Sequence, residues 1–427
     1  MSEHRTSTRH TTSKISSVFL NILLFTLILT GLSLGSMIAD HSSMSLPGEN
    51  RMLQPPPTFS LETLFSGQYT RQYDQYIADH FVFRSFFLTF TNRFDFIKGL
   101  PSANSVQLVA FEGTNLDQGT LVERQQKSEE SLTTADGFDQ ILVLEDRAME
   151  LHRHNAAAIE AYACILNSFQ AQLPGVVFYN LMIPTQVQFL EDEEYRSLSH
   201  DQTLSVQLLE DLLSPQISSV HVFEAFRDAP PHEVYFRTDH HWTARGAHLA
   251  YAAFMEQTHR EPVPLENYDH VVLAPFLGSL YGATRHESLA KSPDTMEIFI
   301  PQNNVAYQIY PEGINGNVFE KTIIDLDQFD SMTPFGVFLG GDQPLSVIQG
   351  TANNNHRLLV VKDSFGNPFI PFLLPHYQEI HVIDPRLSNE NLVNYVISQQ
   401  VNEVLFLNYV LVHRYTGYAE LLENMAR

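Results

Sequence analysis

Two short runs of the 427-residue chain hold residue types that can do acid–base and nucleophilic chemistry. The first is RTDHHWTARGAHLAY at 237–251, where Asp239, His240 and His241 precede Trp242, the only tryptophan. In extended backbone, residues two apart point the same way. Asp239 and His241 can then act together, the carboxylate orienting the imidazole and stabilising its protonated form. His240 and Trp242 would face elsewhere, toward packing or a supporting contact. Two other readings stay open. Asp/His clusters also bind metals, and His232 and His248 lie nearby. A helix N-cap at Thr238 or Asp239, with merely exposed histidines, would give the same run.

The second run is LLVVKDSFGNPFIPFLLPHY at 358–377. An apolar strand leads into Asp363-Ser364, and a helical pattern follows. A serine at such a turn is placed as a nucleophile, and its own N–H, at a helix N-terminus, can help stabilise an oxyanion. Gly366 permits close backbone approach. The sequence lacks G-x-S-x-G, and Ser or Asp at this point is also an ordinary N-cap. The two runs complement each other, because a serine nucleophile needs a base and a base needs an orienting acid.

The elements that must position these groups can be read from periodicity. Apolar runs at 176–183, 220–226, 358–362, 379–383 and 403–409 alternate with helical stretches. This predicts an α/β fold with a parallel sheet covered on both faces. Ligands of open α/β sheets bind beyond the carboxyl ends of the strands, where Thr185, Glu224, Asp239, Ser364, Asp384 and Asn408 fall. A helix is expected from about Asp139 to Ala171, stopped by Pro174-Gly175. Cys164 lies in it and is expected to be packed. Residues about 260–350 carry several turns and no clear helix, and read as a β-rich insertion.

Ahead of the main domain at 139–427, four segments are expected. Residues 1–14 form a tail with Arg5, Arg9 and Lys14 against Glu3. The uncharged run Ile15 to Ala39 is long enough for a transmembrane helix and is read as an anchor, with a cleaved signal peptide as the competitor. Residues 40–58 are a spacer ending in Pro55-Pro56-Pro57. Residues 59–138 read as a helical and loop region that packs on the main domain. It carries an aromatic stripe (Phe65, Tyr69, Tyr73, Tyr76, Phe81) and an exposed loop at 126–138. The expected location is the cell membrane, single-pass, with the main domain outside the cytoplasm, or secreted if cleaved.

With these residues in hand, the chain resembles the DHHW proteins. These are similar to the SGNH-hydrolase-like proteins of bacterial alginate O-acetylation. The resemblance rests on Arg237 to Thr243 with Gly246-Ala247, and on DHFVFRSFF (79–87), FLGSLYG (276–282), FGVFLGGDQP (335–344) and KDSFGNPFIPFL (362–373). It covers roughly residues 60–427. It implies an SGNH-hydrolase-like three-layer fold and a Ser–His–Asp triad acting on acyl esters of carbohydrate. Carried over by motif, Ser364 is the nucleophile, His241 the base and Asp239 the orienting acid. The oxyanion candidates are the Ser364 N–H, Gly341 and Asn367, although Gly341 reads more readily as a turn glycine.

The reading is therefore an extracytoplasmic SGNH-like esterase or O-acetyltransferase, with no cofactor and no resident metal. The expected partners are a carbohydrate polymer acceptor, a membrane-bound acyltransferase as donor, and the membrane itself. The alternatives are a metal-dependent hydrolase using the Asp/His cluster and a non-catalytic glycan-binding scaffold. The net charge of −24 argues against nucleic acid, which needs a basic footprint. It also favours a neutral or cationic glycan over a polyanion.

Overall fold

The computed structural model describes residues 19, 21–27, 30–31, 56–57, 59–60, 64, 68–79, 107–110, 140–302, 305–331 and 333–426. The chain divides into two compact units, Met1–Leu46 with Met52–Lys98, and Pro47–Arg51 with Gly99–Arg427. In the first, the described part of the 15–39 run is helical, with the Thr26 and Thr30 hydroxyls donating to the carbonyls of Ile22 and Thr26. Among the described residues, no helix is long and apolar enough to cross a membrane. The remainder of that run, the 1–14 tail, most of the spacer and the 126–138 loop lie outside them. Helix α1 (Gln68–Asp79) carries the described part of the aromatic stripe, with Tyr69 stacked on Tyr73. Phe65 and Phe81 lie outside the described residues.

The second unit departs from the expected helix at 139–171. Strands β1 (Gln107–Ala110), β2 (Gln140–Leu144) and β3 (Arg147–Glu150) form a small antiparallel sheet there. The run QILVL fits a strand as well as a helix, and Glu145, with φ of 56°, turns the β2–β3 hairpin. Helix α2 (Ala156–Gln172) starts only after Asn155, whose side chain accepts from the Ala158 N–H. Its buried face is Ile159, Tyr162, Leu166 and Phe169. Cys164, expected to be packed, is exposed. Two residues beyond Tyr162 is more than half a turn, which carries it to the opposite face.

Along the chain follow β4 (Val177–Ile183), α3 (Gln202–Leu212), β5 (Ile217–Val220), α4 (Phe223–Asp228) and α5 (Ala244–Gln257). Next come β6 (Asp269–Phe276), α6 (Ser279–Thr284), α7 (Glu287–Lys291), β7 (Asp294–Ile300), β8 (Tyr307–Ile309), β9 (Phe319–Lys321) and β10 (Leu345–Gln349). The C-terminal part holds β11 (Arg357–Lys362), α8 (Gly366–Leu373), β12 (Glu379–Ile383), α9 (Leu392–Ser398), β13 (Glu403–Tyr409) and α10 (Gly417–Asn424). The strand expected at 220–226 ends at Val220. Val222 and Phe226, four apart and both buried, show the helical period that takes over.

The main sheet has the order β5-β4-β13-β11-β12-β10-β8-β9. Its first five strands are parallel, as expected, and the last three run antiparallel. So the sheet is mixed, and much of the 260–350 region belongs to it instead of standing apart. β10 joins because Leu345 and Ile348 are buried once it pairs with β12. Among the described residues of 260–350, only the β6–β7 hairpin stands outside the main sheet, and α6 and α7 are short helices where none was expected.

Alternate residues of each central strand enter different cores. Leu181, Val360 and Leu405 join α5 and α8, through Ala247, Phe254 and Phe369, on one face. Phe178, Val361 and Phe406 join α2, α9 and α10, through Phe169, Tyr395 and Leu422, on the other. A sheet buried on both faces is rigid, so the loops at its carboxyl edge are held in fixed places.

Candidate active site

Ser364 follows β11 and immediately precedes the turn into α8. Asp363 shapes this turn. Its Oδ1 accepts the Phe365 N–H at 3.0 Å and its Oδ2 the Tyr409 N–H at 2.7 Å, tying the end of β11 to β13. Burial pushes the Asp363 carboxyl up, against the pull of Arg386. Asp363 is thus a structural anchor, and Ser364 is left to face the site.

The Asp239–His241 segment is a bend pinched at its base by an antiparallel bridge between Tyr235 and Trp242. Thr243, not Thr238 or Asp239, caps the following helix, α5, accepting from the Gly246 N–H. Thr238 is instead held by Asp294, which accepts from its N–H at 2.8 Å and its hydroxyl at 2.6 Å. Trp242 is fully buried, and its indole N–H donates to the Phe365 carbonyl at 2.9 Å. One buried hydrogen bond therefore joins the histidine segment to the serine turn.

The two runs, 123 residues apart in sequence, meet there. His241 Nε2 lies 2.7 Å from Ser364 Oγ. His241 Nδ1 lies 2.7 Å from Asp239 Oδ1, which also accepts the His241 N–H at 2.9 Å. Asp239 Oδ2 accepts the Ser279 N–H at 2.8 Å. Burial would raise the Asp239 carboxyl, but the charge of His241, their hydrogen bond, His240 and the Ser279 N–H hold it well below the usual carboxylate range. An ionised Asp239 can only accept, so the Nδ1 proton is on His241 and Nε2 is left to accept from the serine.

His240 bonds elsewhere, with its Nδ1 2.5 Å from Ser279 Oγ. Burial, then the neighbouring His241, push it down to about 3, so it is uncharged at neutral pH. The other strand-end residues serve the frame. Thr185 is bonded to Gln202, Asn408 to Tyr162 and Tyr418, and Asp384 to Arg386, while Glu224 is exposed on α4.

The three oxyanion candidates differ. The Gly341 N–H donates to the Phe338 carbonyl at 3.0 Å, and φ of 84° marks a turn glycine. The Asn367 side chain donates to Asp342 and accepts from Lys362. The Ser364 N–H makes no hydrogen bond among the described residues.

The family pattern described as DHHW protein matches residues 117–383. The chain belongs to the DHHW family. This DHHW chain is similar to a solved DHHW family protein from Eubacterium siraeum. The identity is 26%, over 67% of this chain and 94% of that one, with a TM-score of 0.59. It is also similar in fold to Bacillus cereus PatB1, solved with a sulfonyl adduct, at 20% identity. There the match covers 64% of this chain and 95% of that one, with a TM-score of 0.53. No curated protein sequence matches it.

Several groups around the DHHW run were not legible as site residues. Ser279 supports both Asp239 and His240. Phe335 stacks on the His241 ring, with centroids 3.9 Å apart and planes 9° from parallel. Both fall in segments that carried the resemblance, FLGSLYG and FGVFLGGDQP. That is the one sequence signal that could have pointed to them. Asp239, His240 and His241 also offer ligand atoms within 4.8 Å of one another. Such a set can attract a metal ion, but Asp239 Oδ1 and His241 Nδ1 face each other as acceptor and donor, so an ion there would have to displace that hydrogen bond.

Proposed function

We propose that this DHHW protein is an SGNH-like esterase or O-acetyltransferase that acts on carbohydrate esters through an acyl-enzyme on Ser364. The observation that carries the reading is the continuous chain Ser364 Oγ–His241–Asp239, with 2.7 Å at each of its two links. Ser364 Oγ attacks the acyl carbonyl while its proton passes to His241 Nε2. Asp239 stabilises the imidazolium, and the Ser364 N–H faces the developing oxyanion. The ester C–O bond then breaks, and the leaving alcohol takes the proton from His241. An incoming alcohol or water gives its proton to His241, attacks the acyl carbon and releases Ser364.

A sugar hydroxyl as acceptor makes the protein a transferase, and water makes it an esterase. An extracytoplasmic, membrane-attached location, a carbohydrate polymer acceptor and a membrane-bound acyl donor rest on the sequence pattern and the family resemblance. The metal alternative is tested directly. Turnover of an aryl acetate should persist in excess chelator and be lost on treatment with a sulfonyl fluoride. Loss in chelator with restoration by a divalent ion would instead favour Asp239, His240 and His241 as ligands.

The Gly278 position gives a second check. A Cβ added there would lie 2.2 Å from Asp239 Cβ and 2.4 Å from its Oδ2. Gly278→Ala must push the carboxylate away from His241. Turnover should fall by about 100-fold, since a misplacement near 1 Å costs that much. Unchanged kcat in a folded Gly278→Ala protein would contradict the role given to Asp239.

A further inference from the structure

Lys362 is 1% exposed and sits two residues before Ser364, at the end of β11. Its ammonium donates to Asp342 Oδ1 at 2.6 Å and to Asn367 Oδ1 at 2.7 Å, and lies 3.8 Å from Asp384 Oδ2. Asn367 Nδ2 donates to the same Asp342 oxygen at 2.9 Å. Arg386 completes the network, with NH2 2.6 Å from Asp342 Oδ2 and 2.7 Å from Asp384 Oδ2. Two cations face two carboxylates, and both ends of the Lys362–Asp342 pair are satisfied.

The network brackets the nucleophile. Lys362 is attached to the chain on one side of Ser364, and Asn367 on the other, in the first turn of α8. Asp342 follows Gly340-Gly341, whose φ values of 67° and 84° define a tight turn. Asp384 and Arg386 follow β12. The lysine stem reaches this point by passing under Gly366, where a Cβ would lie 2.8 Å from Lys362 Cβ. That close approach is the physical reason for glycine at the start of α8.

A buried ion pair is a poor device for stability alone. Desolvation offsets most of the attraction, and apolar side chains of similar volume stabilise as well or better. What such a network supplies is fixed direction: each partner is held by more than one short, charge-assisted bond.

We infer that Lys362 is a positioning residue, which locks the Ser364 turn to the Gly340–Asp342 loop and the end of β12 and so sets the Ser364 hydroxyl against His241. The inference rests on the serine-nucleophile reading for its catalytic consequence, but its geometric content stands apart from it. It separates positioning from bulk stability through a pair of variants. Lys362→Met keeps the stem and removes the charge. The double variant Lys362→Met with Asp342→Leu removes both charges and leaves an apolar contact.

The test measures melting temperature, kcat and KM on an aryl acetate, and the Ser364 to His241 distance in crystals of each variant. In both variants kcat should drop by about 10- to 100-fold with KM within about two-fold, as expected for lost alignment. The double variant still leaves buried Asn367 and one side of Arg386 without their Asp342 partner, so it should regain only part of the melting lost in Lys362→Met, and none of the kcat. Recovery of kcat along with stability would overturn the inference. If the wild-type protein has no turnover and takes no sulfonyl label, the functional reading fails. The positioning claim is then decided by the crystals. A Ser364–His241 contact still near 2.7 Å in both variants would overturn it, and a contact lengthened beyond hydrogen-bond reach would support it.

Discussion

Ser364→Ala should abolish turnover of an acetyl ester reporter while leaving the fold intact. Removing the nucleophile of an assembled Ser–His–acid triad typically costs about 10⁶-fold in kcat, and the residue acts as part of a unit. His241→Ala should therefore cost about as much, and the double variant little more than either. Additive losses would argue that the two residues do not share a step. The fold should survive, because among the described residues the Ser364 hydroxyl hydrogen-bonds only to His241, while the turn is held by Asp363 and Trp242. A folded Ser364→Ala protein with wild-type turnover would remove Ser364 from the mechanism.

Acidification should destabilise the protein sharply between pH 7.5 and 5.5. Burial holds His152, His240 and His413 down to about 3 and His381 to about 4, from an ordinary 6.5. Three of them, His152, His381 and His413, bury ring nitrogens with no hydrogen-bond partner among the described residues. The folded values lie below the unfolded ones, so the unfolded chain binds these protons first. The contribution is fully present above 6.5 and is lost as pH falls toward the folded values. At pH 5.5 each histidine forfeits about 1.4 kcal/mol, or up to about 6 kcal/mol for the four. That is a large share of a typical domain stability of about 5–15 kcal/mol. Asp239 and Asp342, held low, lose their contribution only below the ordinary aspartate range. Urea denaturation at the two pH values reads the difference directly. Equal midpoints would contradict the burial of these histidines as uncharged groups.

Legibility of the sequence followed the range of the interactions involved. The Asp239–His241 pair could be read because it depends only on alternation over three residues. Ser364 could be read because a strand running into a helical pattern defines a turn. Their joint placement could only be inferred from complementary chemistry, since the hydrogen bond between them spans 123 residues. Short apolar runs were ambiguous. QILVL became a strand where a helix was expected, and the Val222–Phe226 segment a helix where a strand was expected. Cys164 was misjudged because an apolar composition does not say which helical face a residue takes. Ser279, Phe335 and Asp342 reach the site only through chain reversals in 260–350, and no local pattern encodes those.

The most direct test of the account is the mass of the protein after brief incubation with an aryl acetate and quenching in acid. The account predicts one added acetyl group, located on Ser364 by fragmentation and absent from Ser364→Ala. Acetyl groups scattered over lysines, or none on Ser364 while ester is being consumed, would contradict it.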